Sequence, residues 1–400
     1  MTQKYRLDKE GYINRKKSIS FKFNGKKYFG YQGDTLASAL LANGIHLVGR
    51  SFKYHRPRGF VGSKEDEPNA KIQLYDGAKT EPNAVATEVE LVEGLVAKSQ
   101  NCWPSVSFDL GAINNFLSKF LPAGFYYKTF MWPKSFWYKI YEPIIRKTAG
   151  LGVAPLKPDP DRYEHKFEHC DVLIVGSGPS GLGSALAAAK NGARVILAED
   201  KSQFGGSLLT DQVTIGNKTG KGWADETIEK LKSMPNVIVK NRSQVFGYYD
   251  HNMMVMFERT KDHIESPSEY IPRQKLWYIR AKEVVVSTGS IERPLVFGNN
   301  DRPGILLASA AKEYIKKWED YFDSIELQGL QGRWDSPPRM VAQNTNIPED
   351  IVSHKDFVEI ASNQILDNRI KAYQKAEMIR DLNYGARFTG KGWGPFKREN

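Results

Sequence analysis

Hydrophobic residues cluster along the chain in patterns that predict two structured regions. Residues 23–45, "FNGKKYFGYQGDTLASALLANGI", predict a β-hairpin followed by a helix. Farther along, the apolar run Val172–Val175 predicts a buried parallel strand. The alanine-rich segment after it stops at Gly192, as a helix closed by glycine does. A second apolar run, "RVILA", then leads to acidic residues, so strand, helix and strand alternate as in an α/β domain.

Strand-like segments continue beyond this unit. "NVIVKNRSQVFGYYD", "MMVMFERT" and "KLWYIRAKEVVVST" are rich in β-branched and aromatic residues. We interpret them as a β-meander within the α/β domain and a strand that follows it.

An aromatic segment, Phe108–Pro143, separates the two regions. Lysines and prolines interrupt it, which excludes a membrane span. Because aromatic side chains are enriched at protein interfaces, we expect a domain or subunit interface; an ordinary linker is the alternative. A proline-rich connector, Leu151–Phe167, then extends to the first strand of the second region.

Composition narrows the class of protein. A chain of 400 residues is expected to form two or three domains. The two cysteines, Cys102 and Cys170, cannot form a disulfide framework and suit a cytoplasmic protein. The net charge is +11, but the basic residues are spread out without interleaved aromatics. This distribution favours an acidic protein partner over nucleic acid, and the sequence predicts neither a nucleic-acid nor a membrane partner.

The glycines after the first α/β strand form a dinucleotide-binding motif. Gly176, Gly178 and Gly181 have the spacing G-x-G-x-x-G, with a strand before them and a helix after them. The first glycine permits a tight turn, the second lets a pyrophosphate approach, and the third lets the helix pack on the sheet. Glu199 ends the second strand, where a carboxylate can accept both ribose hydroxyls.

Two later segments resemble the two-dinucleotide-binding flavoprotein fold. The double glycine Gly205 and Gly206 is followed by Ser207, and the strand ending at Val286 leads to Thr288 and Gly289 in an "ATG"-like turn. These segments indicate the fold without deciding between FAD and NAD, because both present the same adenosine and pyrophosphate.

Longer pieces of the chain resemble one family. They are "GDTLASALLANGIHLVGRSFKYHRPRG", "LPAGFYYKTFMWPKSFWYKIYEPIIRKTAGLG", "PDPDRYEHKFEHCDVLIVGSGPSGL" and "ERPLVFGNNDRPGILLASA". Over about residues 10–316 the sequence resembles α subunits of heterotetrameric sarcosine oxidase. The resemblance implies a ferredoxin-like domain without cluster ligands at 10–100, an aromatic linker or interface at 101–168, and a Rossmann-type domain at 169–316.

The end of the chain departs from this family. The second nucleotide-binding half and the folate-binding, aminomethyltransferase-like domain of the family are not recognisable in residues 317–400. We predict one or two amphipathic helices between Pro348 and Gly385, followed by a basic, mobile tail. The Rossmann-type domain is therefore expected to be incomplete, with a helical C-terminal tail.

The resemblance also implies a function. The chain would bind NAD as a non-reacting cofactor, with FAD as the alternative, and would dock a flavin-bearing β subunit and smaller subunits. The complex would oxidise sarcosine to glycine, hydrogen peroxide and a one-carbon unit. An amine or opine dehydrogenase α subunit that binds FAD and a non-enzymatic dinucleotide-binding scaffold remain alternatives.

The residues that match the family's dinucleotide site form the predicted cofactor set. We assign no catalytic residue and no metal ligand to this chain. The set is Gly176, Ser177, Gly178, Ser180, Gly181, Glu199, Asp200, Lys201, Gly206, Ser207, Val245, Thr288 and Gly289.

The basic loop Arg50–Asn69 stands where related domains carry cysteine ligands. A [2Fe–2S] cluster needs four ligands, normally thiolates, and this loop has none. We therefore predict no iron–sulfur cluster. His55 is expected to be packed or paired, and the loop to bridge this domain to the dinucleotide domain or to a partner chain.

Overall fold

The computed structural model describes residues 3–7, 11–121, 124, 130, 132–292, 294 and 299–320, together with strands Arg387–Phe388 and Trp393–Gly394. The chain divides into two compact units, Met1–Ser336 and Pro337–Asn400.

The N-terminal part of the first unit is a five-stranded mixed sheet packed on one helix. Its elements are β1 (Asn14–Phe23), β2 (Lys26–Gln32), α1 (Leu36–Ala42), β3 (Gly49–Arg50), β4 (Pro57–Arg58), β5 (Lys71–Leu74), β6 (Glu81–Val85) and β7 (Val96–Ser99). The sheet order is β2-β1-β7-β5-β6, with β1 and β7 parallel and the other neighbours antiparallel. Thr35 caps α1 by accepting a hydrogen bond from the Ser38 N–H at 3.1 Å. The predicted hairpin and helix are confirmed.

The aromatic segment forms short helical turns and two short helices, α2 (Ile113–Phe116) and α3 (Glu142–Ala149). Its described aromatic side chains are largely exposed, with Phe116 at 86% and Trp132 at 83%. Among the described residues, these rings are therefore not covered by other parts of the chain.

The second part of this unit is a six-stranded sheet that carries the dinucleotide-binding motif. Its elements are β8 (Tyr163–Val175), α4 (Pro179–Lys190), β9 (Val195–Ala198), β10 (Thr214–Ile215), β11 (Lys218–Thr219), α5 (Gly220–Lys232), β12 (Val237–Lys240), β13 (Ser243–Tyr249), β14 (Met253–Arg259) and β15 (Gln274–Val286). The sheet order is β12-β9-β8-β15-β14-β13. The first four strands are parallel, and β14 runs antiparallel to both of its neighbours. The predicted β-meander is therefore confirmed.

Strand β8 begins earlier than the apolar pattern predicts. The run Val172–Val175 is only its last third, because β8 pairs with β15 from Tyr163 onward. The first residues of β8 are mostly exposed, so their side chains carry no apolar signal. Backbone pairing with β15 supplies the hydrogen bonds that extend the strand through part of the predicted connector.

Two apolar cores lie on opposite faces of this sheet. On one face, Ile174 and Leu197 pack against Leu182 of α4 and Ile228 of α5. On the other face, a second buried cluster contains Leu173, Ile196, Met256 and Trp277. Helices therefore cover one face of the sheet at the strand ends where the glycine motif lies.

The last helix of the described chain, α6 (Ala308–Lys317), belongs to the N-terminal core. Tyr314, fully buried, packs in the same cluster as Phe21 and Leu40. Ser63 of the basic loop donates to Glu313 at 2.6 Å. This helix follows the Rossmann-type sheet in the chain but packs in the core of the ferredoxin-like domain.

The second unit is described only at two short strands, β16 (Arg387–Phe388) and β17 (Trp393–Gly394), which pair antiparallel within the predicted tail. The amphipathic helices predicted between Pro348 and Gly385 lie outside the described residues.

Candidate dinucleotide site

The turn between β8 and α4 admits only glycine at two of the three motif positions. Gly176 has φ of +96°, and a Cβ there would lie 2.4 Å from the carbonyl oxygen of Ser287. A Cβ on Gly181 would lie 1.9 Å from the carbonyl oxygen of Gly176. These distances confirm the roles that the spacing predicts, a tight turn and close packing of the helix.

Gly178 is different, because space is left where its side chain would be. Among the described residues other than its two chain neighbours, none has an atom within 4 Å of the position of a Cβ on Gly178, which immediately precedes α4. The helix begins at Pro179, and the exposed Ser180 follows it. The free N–H groups of a helix N-terminus and its positive dipole favour a phosphate. The structure therefore has room for a diphosphate at the position that the motif predicts.

The double-glycine segment packs directly against this turn. The Gly205 N–H donates to the carbonyl oxygen of Ser177 at 3.1 Å. A Cβ on Gly206, whose φ is +53°, would lie 3.0 Å from the Cα of Gly178. Gly206 and Ser207 are both exposed. The segment thus forms a second wall beside the glycine turn.

Glu199 is buried at the carboxyl end of β9 and points at the glycine turn. The backbone N–H of Ser177 donates to Glu199 Oε2 at 2.8 Å, and the Ser177 hydroxyl donates to the same oxygen. The Lys201 N–H donates to Oε1 at 3.1 Å. Burial raises the pKa of Glu199 to about 7, and the neighbouring Asp200 acts in the same direction. This carboxylate therefore changes its ionisation near neutral pH.

Asp200 and Lys201 lie beside the predicted site but face the N-terminal domain. Lys201 Nζ is 2.6 Å from Glu65, 2.6 Å from Glu88 and 3.0 Å from Asp200. Burial acts to raise the pKa of Asp200, but the hydrogen bond with Glu199 and the charge of Lys201 outweigh it and lower the pKa. The Lys201 side chain is thus held by carboxylates.

The remaining predicted residues lie on neighbouring segments. Ser243 N–H donates to the Glu199 carbonyl oxygen at 2.7 Å, which places the start of β13, two residues before Val245, beside the ribose end. Ser287 N–H donates to the Val175 carbonyl oxygen at 2.8 Å, so the turn containing Thr288 and Gly289 follows β15 next to the glycine motif. Thr288 and Gly289 are exposed. Their contact with a cofactor stays a prediction.

The basic loop of the N-terminal domain is paired as predicted. His55 Nδ1 lies 2.6 Å from Asp109 Oδ2, and Nε2 lies 2.8 Å from the carbonyl oxygen of Thr148. Arg56 and Arg58 both pair with Asp301, at 2.7 and 2.6 Å. Because Asp301 follows β15, the loop bridges the ferredoxin-like domain and the segment that leaves the Rossmann-type domain, as predicted.

The acidic partners in these contacts were missed by sequence reasoning. Glu65 begins the acidic run Glu65–Glu67, Glu88 is followed by a second acid at Glu90, and no spacing sets these residues or Asp301 apart from other surface acids. The available signal was the position of Lys201, one residue beyond the predicted ribose-binding pair.

Comparison with known families supports the two-domain assignment. Residues 16–102 match the family described as "2Fe-2S iron-sulfur cluster binding domain". Residues 171–259 match "FAD dependent oxidoreductase". The chain therefore combines a ferredoxin-like domain with a Rossmann-type oxidoreductase domain.

Similar proteins include sarcosine oxidase α subunits. The chain is 52% identical over 314 residues to "Sarcosine oxidase subunit alpha" of Rhizobium meliloti, covering 78% of this chain and 32% of that protein. It is 33% identical to the α subunit of a Corynebacterium species, covering 76% of this chain and 27% of that subunit. The chain thus spans about a third of the length of the curated relatives it matches.

A solved structure supports the fold. The L-proline dehydrogenase from P. horikoshii matches with a TM-score of 0.50 at 20% identity, covering 83% of this chain and 54% of that chain. At this identity the likeness shows the arrangement of elements alone.

These findings correct the predicted cofactors. The preference for NAD is wrong, because the family matched by the Rossmann-type domain is FAD-dependent, so FAD is indicated. The open position at Gly178 and the buried acceptor at Glu199 fit the diphosphate and ribose of FAD.

The prediction of no iron–sulfur cluster is also contradicted, because the N-terminal domain matches a family of cluster-binding domains. The donors of this chain do not fit a four-thiolate cluster. Cys102 follows β7, Cys170 lies in β8, and the loop offers no sulfur. Burial raises the pKa of both thiols to about 11. We derive no chemical step through such a cluster.

A search of the described helices finds none with the length and apolar character needed to cross a membrane.

Proposed function

This chain is related to the α subunits of sarcosine oxidase over 78% of its length, and on that premise we propose that it binds FAD at the β8–α4 turn within an amine-oxidising complex. One observation carries the proposal. The N-terminus of α4, the open position at Gly178 and the buried carboxylate of Glu199 all lie at the carboxyl ends of β8 and β9. This is where open α/β sheets bind dinucleotides.

Each part of the site has a defined task. The amides at the start of α4 hold the diphosphate, since a helix N-terminus attracts anions. Glu199 accepts the ribose hydroxyls, and Ser177 fixes the orientation of its carboxylate. Gly206 and Ser207 flank the diphosphate. Val245, Thr288 and Gly289 lie beside the adenine and flavin ends of the cofactor. Bound FAD supplies two-electron oxidation of an amine.

The substrate proposal follows the related proteins. The complex converts sarcosine, water and dioxygen to glycine, hydrogen peroxide and a one-carbon unit at the oxidation level of formaldehyde. Electrons pass from the amine to oxygen. We assign no acid–base residue for this reaction to the present chain. Its tasks are to bind the dinucleotide and to hold the partner subunit.

The aromatic segment is the surface proposed for the partner. Phe116, Phe120 and Trp132 are at least 80% exposed, and Lys119 and Lys134 lie among them. The related proteins are named as subunits, which implies further chains in their complexes. An apolar partner surface with an acidic rim would cover these rings and pair with the lysines.

Native mass spectrometry and absorption spectroscopy of the purified chain test the cofactor. We expect a mass increment equal to FAD and the yellow colour of oxidised flavin, either as purified or after FAD is added. A chain that stays colourless and gains no mass in excess FAD would contradict the proposal. Expression together with a flavin-bearing β subunit would then show whether the assembled complex oxidises sarcosine.

A further inference from the structure

An ion cluster joins the ferredoxin-like domain to the ribose end of the dinucleotide site. Lys201 Nζ lies 2.6 Å from Glu65 and 2.6 Å from Glu88 of the N-terminal domain, and 3.0 Å from Asp200. The Lys201 side chain is 23% exposed and that of Glu88 is 19% exposed. One ammonium therefore faces three carboxylates in a partly buried position.

The same boundary holds two arginines. Arg259 donates to the Asp200 carbonyl oxygen at 2.9 Å and to the Glu88 carbonyl oxygen at 3.4 Å. Arg242 makes a bidentate pair with Glu90, at 2.6 and 2.7 Å. Each contact connects the 88–90 segment to the strand ends around Glu199. Bidentate arginine–carboxylate pairs restrict geometry as well as adding energy.

The cluster is complete without a metal ion. Single oxygens of Glu65, Glu88 and Asp200 lie within 4.8 Å of one another, which a cation could bridge. The ammonium of Lys201 already contacts all three carboxylates. The arrangement is therefore that of a partly buried lysine with three acidic partners.

We propose that Glu88, assisted by Glu65, sets the charge at the ribose end of the site by acting through Lys201 and Asp200 on Glu199. The ferredoxin-like domain thus contributes charged residues to the dinucleotide site, and Glu88 is a positioning residue. This inference rests on the proposed function, because Glu199 is the group expected to accept the ribose hydroxyls.

Several charged groups lie around the end of β9, where Glu199 is. Asp200 and Lys201 follow β9 directly. Arg259 of β14 also faces this end of the strand, as do Glu65 and Glu88 of the N-terminal domain. Glu88 and Glu65 neutralise part of the Lys201 charge. A Glu88→Gln substitution leaves the ammonium with one anion fewer, so it stabilises the ionised forms of Asp200 and Glu199 more strongly.

The direction of the effect on binding follows. Ribose hydroxyls donate to an ionised carboxylate, so FAD affinity should rise with pH until Glu199 is ionised. In the Glu88→Gln variant this rise should be complete at lower pH, with its midpoint lower by a few tenths of a unit or more. A purely structural role of Glu88 would weaken FAD binding at every pH and leave the midpoint in place.

The experiment measures FAD dissociation constants of the full chain on both sides of pH 7. Wild type is compared with Glu88→Gln, Glu65→Gln and the control Glu81→Gln. Glu81 pairs with Arg273, another ion pair between the two domains, and is not one of the three carboxylates that contact Lys201. We expect the midpoint pH of the rise in FAD affinity to be lower in Glu88→Gln than in wild type. It should fall less in Glu65→Gln, because the Glu65 side chain is 47% exposed, and should be unchanged in Glu81→Gln.

If the midpoint pH of the rise in FAD affinity were equal in Glu88→Gln and Glu81→Gln, or were higher in Glu88→Gln than in wild type, the inference would be overturned. The proposal that the chain binds FAD would still stand. Unfolding of the apoprotein as a function of pH supplies a readout that does not need FAD. The free energy of unfolding falls over the pH range in which Glu199 ionises, and this range should end at a lower pH in Glu88→Gln than in wild type. If wild type bound no FAD, the proposed function would fail, and this second measurement would still decide the electrostatic link.

Discussion

Ser177 donates two hydrogen bonds to a single oxygen of Glu199, from its backbone N–H at 2.8 Å and from its hydroxyl. Both residues are at least 94% buried, since Ser177 is 0% and Glu199 6% exposed. The glycine turn and the end of β9 are therefore fixed to each other before any ligand arrives. The carboxylate that would receive the ribose is preorganised, which reduces the entropy lost on binding.

Substitution of Gly178 by valine should abolish FAD binding without unfolding the protein. The backbone at Gly178 is extended, with φ of −65° and ψ of −176°, and no other described residue beyond its chain neighbours comes within 4 Å of its Cβ position, so a Cβ there fits the apoprotein. The added methyl groups would occupy the space of the diphosphate. Flavin content after purification measures the effect.

Gly183→Val is the matched control for that substitution. Gly183 lies in α4, and its Cβ position is also free of protein atoms. We expect Gly183→Val to retain flavin and Gly178→Val to lose it, with both variants giving cooperative unfolding. Equal flavin content in the two variants would show that the diphosphate does not lie at Gly178.

Replacement of Glu199 by glutamine should weaken FAD binding by about 1–3 kcal/mol, the usual effect of losing a charged hydrogen bond. It should also remove the pH dependence of affinity. In wild type, affinity should rise with pH and level off above about pH 7, since burial raises the pKa of Glu199 to about 7. Isothermal titration at several pH values measures both effects, and a pH-dependent Glu199→Gln variant would contradict the assignment.

The stability of the apoprotein should depend on Glu199 in the opposite sense. Its pKa is raised by burial from 4.5 in the unfolded chain to about 7 in the folded protein. The folded state binds the proton more tightly, so this contribution is fully present below pH 4.5 and is lost as pH rises to about 7. Glu199→Gln should flatten this part of the curve of unfolding free energy against pH. Denaturant unfolding of both proteins measures the difference.

Asp301→Asn should destabilise the contact between the basic loop and the segment after β15. Asp301 accepts from Arg56 at 2.7 and 2.9 Å and pairs with Arg58 at 2.6 Å, with only 17% of its side chain exposed. We expect a loss of about 1–2 kcal/mol in the free energy of unfolding.

The exposed ion pair between Lys98 and Asp76 provides the comparison. Their atoms are 2.8 Å apart, but the side chains are 47% and 69% exposed. Asp76→Asn should change stability by less than about 0.5 kcal/mol. If the two substitutions had equal effects, the bridge through Asp301 would not contribute to the stability of the fold.

Paired substitution of Phe116 and Phe120 by serine should reduce co-purification of a partner subunit at least tenfold. Both rings are at least 80% exposed, so little folding energy depends on them, whereas buried aromatic residues dominate many interfaces. Phe246→Ser, at a ring that is 57% exposed on β13, is the control. Undiminished co-purification of the double variant would exclude this surface as the docking site.

The sequence alone determined the local parts of this protein. The hairpin and helix of the N-terminal domain, the glycine turn, and the acid at position 199 all follow from residues close together in the chain. In such segments, conformational preference and apolar spacing suffice, because the constraint is local, as at Gly181, where a Cβ would meet the carbonyl oxygen of Gly176 in the same turn.

Tertiary structure alone decided which distant groups meet. It extended β8 back to Tyr163, placed α6 in the core of the other domain, and surrounded Lys201 with Glu65 and Glu88. Ion pairs and strand pairing over more than a hundred residues leave no periodic trace in the sequence, because either partner could have paired elsewhere. Only the folded chain brings the N-terminal carboxylates to the ribose end of the site, where their charge can act.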